Sequence, residues 1–145
     1  MKPQHRPHHP HRSLRTGSAA ALVGITIVLS CFNAAAATPA ELLDDYRNAA
    51  GVVPAPARGQ KLFTTPQGRD WSCASCHGAV PTQTGRHAAT GKPISALAPA
   101  FNAERFTDSA KVEKWFRRNC NDVVGRECTT AEKADVLAWL LTLKP

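Results

Sequence analysis

At 145 residues, with 18 Lys and Arg against 11 Asp and Glu, the chain carries a formal charge of +7. That length leaves room for one small domain with a thin core and excludes a large multidomain enzyme. The charge is unevenly spread, and its distribution is more informative than its sum.

Lys2, Arg6, Arg12 and Arg15 precede an apolar run from Ala19 to Leu29 and then the small residues Ala34–Ala37. Basic, apolar and small-residue regions in that order predict a secretory signal over residues 1–37, cleaved after Ala37. The apolar run is shorter than the ~20 residues that a membrane-spanning helix needs. Lipid attachment at Cys31 is an alternative, but a bulky Leu29 just before Ser30 suits it poorly. Cleavage removes four basic residues and no acidic one, which leaves the domain of residues 38–145 at +3. The basic balance is therefore mostly a targeting feature, and no nucleic-acid partner is implied. Export predicts an oxidising compartment, the bacterial periplasm.

Along the remaining chain, Thr38-Pro39-Ala40-Glu41 predicts a helix start with a capping box and a proline in the first turn. Leu42, Leu43, Tyr46 and Ala49 give that helix a buried side and Gly51 ends it. A Pro-rich link over residues 52–57 leads to a short helix near Gly59–Thr64. Gly78–Pro99 reads as a long loop. Helices are predicted over Asp108–Cys120 and Thr129–Leu143, the second with Thr129 and Glu132 at capping-box spacing and a buried stripe of Val136, Leu137, Trp139 and Leu140. Nothing reads as a strand, so the expected fold is all-α.

Between the short helix and the loop lies Cys73-Ala74-Ser75-Cys76-His77. C-x-x-C-H is the attachment pattern of a c-type haem: two thiols bond the haem covalently and the following histidine binds iron. Cys73 and Cys76 are thus the candidate attachment residues and His77 the candidate proximal ligand. The rival reading is zinc, with Cys120 and Cys128 as the other half-site. The histidine directly after the first pair, the seven residues inside the second and the oxidising compartment all weigh against it. In that compartment Cys120 and Cys128 are a candidate disulfide. A buried haem would also supply much of the core so small a domain lacks.

Electron-transfer cytochromes c commonly use a methionine sulfur as the second axial ligand. The single methionine here is Met1, so the sixth position is open or held by another residue. Val112, Trp115, Phe116 and Asn119 share one helical face at i, i+3, i+4 and i+7. Its apolar members predict burial, with Trp115 and Phe116 as pocket walls. Asn119 would then present an amide either to iron or to backbone at the helix end. His87, in a polar loop, is the competing ligand and would give a closed haem.

The chain resembles the SHP family, oxygen-binding class I cytochromes c. The resemblance rests on Arg105-Phe106-Thr107-Asp108-Ser109-Ala110-Lys111-Val112-Glu113-Lys114-Trp115, on Arg118-Asn119-Cys120-Asn121, and on Gly125-Arg126, Cys128-Thr129 and Glu132-Lys133-Ala134-Asp135. Thr90-Gly91-Lys92 and Leu97-Ala98-Pro99 also match, whereas Gln67–Ser72 follows the family less closely. The resemblance implies a helical domain wrapped around one covalent haem c, Asn119 as sixth ligand and a Cys120–Cys128 disulfide. It also implies O2, NO or CO as ligands, and a dihaem cytochrome c or a membrane cytochrome b as electron donor. A monomer is expected. The exposed basic side of the same helix, Lys111, Lys114 and Arg118, is either an ordinary solvated face or a docking face for an acidic partner. Two other functions stay open at this point: a closed electron shuttle, and a small oxidase, peroxidase or nitric-oxide-detoxifying enzyme.

Overall fold

The computed structural model describes residues 37–145. The predicted signal, its cleavage region up to residue 36 and Cys31 lie outside the described residues. Helix α1 spans Pro39–Ala50, α2 Pro56–Thr64, α3 Ala74–His77, α4 Ser109–Val123 and α5 Thr130–Thr142. No described helix is long and apolar enough to cross a membrane.

The α1 start follows from its first four residues. The Thr38 hydroxyl accepts the Glu41 N–H (3.2 Å), and the Glu41 carboxylate accepts the Thr38 N–H (2.7 Å). Both groups are free backbone donors at a helix N-terminus, so the reciprocal pair satisfies each. Gly51 closes the helix at φ +65°, where its N–H reaches the Arg47 carbonyl. Leu42 and Tyr46 point inward from α1.

Helix α2 begins after Ala55, whose methyl side chain cannot cap. The missing acceptor comes from α5, where Asp135 Oδ1 accepts the Ala55 N–H at 2.6 Å. The same carboxylate takes the Arg58 guanidinium at 2.7 and 2.9 Å. Asp135 is 5% exposed, a burial that a carboxylate tolerates only when fully hydrogen-bonded. Close approach makes this possible: Gly59 is buried, and a Cβ there would run into the backbone of Asp135 and Val136. A glycine is needed at that crossing.

Every residue from Ala134 to Leu140 is buried, so α5 is a central helix covered on all sides. The predicted one-sided stripe is thus too narrow: α1 and α2 cover α5 on further faces, and a helix so enclosed can be apolar all round. Leu42, Tyr46, Phe63, Phe106, Leu137, Trp139 and Leu140 form the core around it. Full burial of Phe63, Leu137 and Leu140 stabilises the fold by roughly 1.5–3 kcal/mol each.

Helix α4 starts as expected, with the Asp108 carboxylate accepting the Lys111 N–H, and runs three residues further, to Val123. The segment read as pure loop contains a two-residue antiparallel pair, β1 (Gly85–Arg86) and β2 (Pro93–Ile94). A turn closed by Gly91 N–H to the His87 carbonyl (2.7 Å) brings these residues together. So short a ladder leaves no sequence period to read. A 3₁₀ turn at Pro99–Phe101 precedes α4.

Candidate haem site

Helix α3 is a single turn that places Cys73, Cys76 and His77 at i, i+3 and i+4. Cys73 caps the turn in helical conformation, the His77 N–H returns to the Cys73 carbonyl at 3.1 Å, and Gly78 ends it. Residues at those spacings lie on one side of a helix, so both sulfurs and the imidazole face the same way. Gly85 fits tightly against this turn: a Cβ there would run into the Cys76 carbonyl. The Ala88 N–H also donates to Cys76 Sγ at 3.3 Å.

Both thiols are free. Burial pushes the Cys73 thiol up to about 11, which keeps it protonated at neutral pH and makes it a poor metal ligand. His77 shifts the opposite way. Burial first, and the Arg105 charge second, push the imidazole down to about 4, so it is neutral and offers the lone pair an iron ligand needs. Its ring lies 6.1 Å from Phe63, which in turn meets Trp139 at 5.0 Å. The histidine is therefore backed by α2 and α5, the most closely packed pair of helices among the described residues.

The loop after His77 is fixed from two directions. The buried Pro81 accepts the N–H groups of Leu97 and Ala98 at 3.0 and 3.1 Å. Arg105 donates to the carbonyls of Ala96 (2.9 Å) and Ser95 (2.7 Å). His87 sits exposed in the turn between β1 and β2, where Nδ1 accepts the Ala89 N–H.

The expected α4 face divides between the core and the surface. Val112 and Phe116 pack against the core, whereas Trp115 is 44% exposed and Asn119 is exposed. The helix meets the core along its Val112–Phe116 edge, and the other two residues of the stripe fall beside that contact. Among the described residues, no side-chain hydrogen bond or aromatic contact joins Trp115, Phe116 or Asn119 to His77. Arg118 lies 5.6 Å over the Trp115 ring, a cation–π contact. Lys111, Lys114 and Arg117 are exposed on the same helix.

Cys120, buried, is bonded to Cys128 in the structure. Neither sulfur then offers a thiolate, which removes the second half of a zinc site. No group of three or more His, Cys, Asp or Glu suited to a metal occurs among the described residues. A surface groove of about 690 Å³ beside α2 and α5, lined by Val52, Val53, Lys61 and Leu62, contains none of the motif residues.

The residues present fit a haem. Two free thiols and a neutral imidazole share one turn. Large apolar side chains stay exposed on the flanking segments, Trp71 and Val80 to either side of α3 and Phe101 and Trp115 beyond. An apolar surface of that kind suits a porphyrin. Sequence reasoning missed Phe63 behind His77 and the hold of Arg105 on the loop, because both depend on contacts between segments distant in sequence. It also missed the joint between Tyr46, Glu113 and Lys133, whose members come from three helices.

Residues 49–140 match the family described as "Domain of unknown function (DUF1924)". The chain is 51% identical over 107 residues to cytochrome c-type protein SHP of Cereibacter sphaeroides, covering 71% of this chain and 82% of that one. It is 49% identical over 82 residues to cytochrome c'' of Methylophilus methylotrophus, 57% of each chain. Its fold matches oxidized SHP, an oxygen-binding cytochrome c, with a TM-score of 0.67 at 50% identity over 73% of this chain and 97% of that one. It matches oxidized cytochrome c'' with a TM-score of 0.66 at 38% identity over 74% and 95% of the two chains. The chain belongs to the DUF1924 family and, with half its aligned residues shared with SHP, to the class I-type SHP cytochromes c, whose prosthetic group is haem c.

Proposed function

We propose that this protein is a periplasmic monohaem cytochrome c that takes up electrons and binds O2, or another diatomic such as NO or CO, at the position Asn119 gives up. The observation that carries this reading is the α3 turn, with two free thiols and a neutral His77 on one side, in a chain whose sole methionine is Met1. Cys73 and Cys76 hold the haem covalently and His77 is the proximal ligand. When bound, haem supplies an iron that exchanges one electron and, when ferrous, takes diatomic gases.

The remaining chemistry belongs to the protein. The Asn119 amide oxygen is a neutral, hard donor, better matched to ferric than to ferrous iron. With haem bound, Asn119 would be a displaceable ligand, and its amide N–H groups would then be available to an incoming diatomic. Trp115 and Phe116 wall the site and limit water. Solved SHP is an oxygen-binding cytochrome c, which supports the same use here.

Residues 1–37 export the chain and are removed, and the domain works as a monomer. A dihaem cytochrome c or a membrane cytochrome b donates the electron, guided by Lys111, Lys114 and Arg118. Reduction by such a donor slows as salt rises if this face docks it; a salt-independent rate contradicts the docking face.

Asn119→Ala tests the central assignment. The ferric visible spectrum of the holoprotein changes, while gas binding to the reduced form stays largely intact. An unchanged ferric spectrum removes Asn119 from the iron.

A further inference from the structure

Three helices meet at one carboxylate on the back of α4. Glu113 Oε1 accepts the Tyr46 hydroxyl from α1 at 2.6 Å, and Oε2 accepts the Lys133 ammonium from α5 at 2.6 Å. The Lys133 ammonium also lies 5.9 Å over the Tyr46 ring. Tyr46 is 6% exposed and the Lys133 side chain 14%, whereas the Glu113 side chain is 46% exposed, so the joint is covered on its α1 and α5 sides and open to solvent at the carboxylate. Charge-assisted bonds of this length are about twice as strong as neutral ones.

Tyr46 touches α4 a second time. Its ring meets Phe116 edge-on at 6.2 Å, and Phe116 meets Phe106 at 6.5 Å. Glu113 and Phe116 are three residues apart and stand on one side of α4. One tyrosine thus grips successive turns of α4 by its hydroxyl and its ring. This matters because α1 and α2 pack closely on α5, whereas α4 reaches the core through side chains. The groups that oppose rotation of α4 about its axis include Val112, Phe116, the Cys120–Cys128 bond at its far end and the Glu113 joint. On a helix ~10–12 Å across, a turn of roughly 20° moves side-chain tips by ~2 Å. Such a shift is enough to lose a ligand bond from Asn119, one turn beyond Phe116.

We propose that Tyr46, acting through Glu113 and Phe116, is a positioning residue that fixes the rotation of α4 and so sets how readily Asn119 leaves the sixth position. The inference rests on Asn119 being that ligand, and the two claims fail in different ways. An Asn119→Ala holoprotein with an unchanged ferric spectrum refutes the ligand. A changed Asn119→Ala spectrum together with an indifferent Tyr46→Phe refutes only the positioning role.

The test compares ferric holoproteins mixed with imidazole, whose entry requires Asn119 to depart. Tyr46→Phe keeps the ring and removes one bond to a charged acceptor, and imidazole binding accelerates by about tenfold. Glu113→Gln, which keeps the shape and loses the charge, accelerates it in the same direction. Leu140→Ala, a core deletion at a fully buried position two turns beyond Lys133 on α5, lowers the melting temperature without changing the imidazole rate. Amide hydrogen exchange rises across residues 112–120 in Tyr46→Phe and stays at the wild-type level there in Leu140→Ala. The proposal is overturned if Tyr46→Phe and Glu113→Gln bind imidazole at the wild-type rate, or if Leu140→Ala speeds it equally, since the effect then follows stability alone.

Discussion

The two halves of this small domain are finished to different degrees. Helices α1, α2 and α5 close on one another with their own side chains, to the point that Gly59 admits no Cβ and α5 is buried from Ala134 to Leu140. Around α3 and α4, Trp71, Val80, Phe101 and Trp115 remain well exposed although the segments are pinned by hydrogen bonds and a disulfide. Among the described residues, the first half leaves only the Val52–Val53 link exposed in this way and serves as a scaffold; the second carries the α3 turn with Cys73, Cys76 and His77. A ligand site gains from this division. His77 is backed through Phe63 by the closely packed half, whereas Asn119 rides on the helix with the lighter attachment. In the proposed reading, the proximal ligand and the displaceable one thereby have different mechanical supports.

The largest effect expected is all-or-none. Changing Cys73 and Cys76 together to Ala leaves no haem on the polypeptide after denaturing electrophoresis; retained haem stain would separate the motif from the cofactor. Next comes the closely packed half. Leu137→Ala costs about 2–5 kcal/mol in denaturant unfolding of the holoprotein. Trp115→Ala costs less and shows mainly in the visible spectrum and the gas affinity. Equal costs at the two positions would erase the contrast between the halves.

Replacing Cys120 and Cys128 together by Ser costs about 2–4 kcal/mol by the same measurement. It also alters the ferric spectrum, because Asn119 is adjacent; a stability loss with no spectral change would make the bond a simple staple. The smallest effect is a pH dependence within the scaffold. Arg126 first, then the Thr129 N–H, hold the Glu132 carboxyl down to about 2 against its ordinary 4.5. A depressed folded value means that this stabilisation is complete above about 4.5 and is lost as pH falls towards 2. Glu132→Gln therefore flattens the acid limb of a melting-temperature profile in that window, and a profile parallel to wild type contradicts the assignment.

Features encoded locally were legible in the sequence. Thr38 with Glu41 and Thr129 with Glu132 predicted two helix starts, and both capping boxes are present. Gly51 predicted the left-handed stop. The C-x-x-C-H turn named the cofactor because the chemistry itself fixes the spacing. Features made by chain crossings were not legible. Nothing local in the sequence marks the role of Asp135 on α5, yet it accepts the Ala55 N–H at the start of α2 and binds Arg58. Tyr46 reads as an ordinary core aromatic, yet its hydroxyl reaches Glu113, 67 residues away. The period of α4 was legible too: Val112 and Phe116 pack on the core, and Trp115 and Asn119 of the same stripe stand at its exposed edge.

The central claim is that the sixth ligand is weak enough for a gas to replace it on reduction. It is tested most directly by the visible spectrum of the dithionite-reduced holoprotein under argon and again after addition of CO. The account predicts a broad high-spin spectrum that shifts on CO. Sharp, split low-spin bands indifferent to CO would contradict it and make the protein a closed electron shuttle.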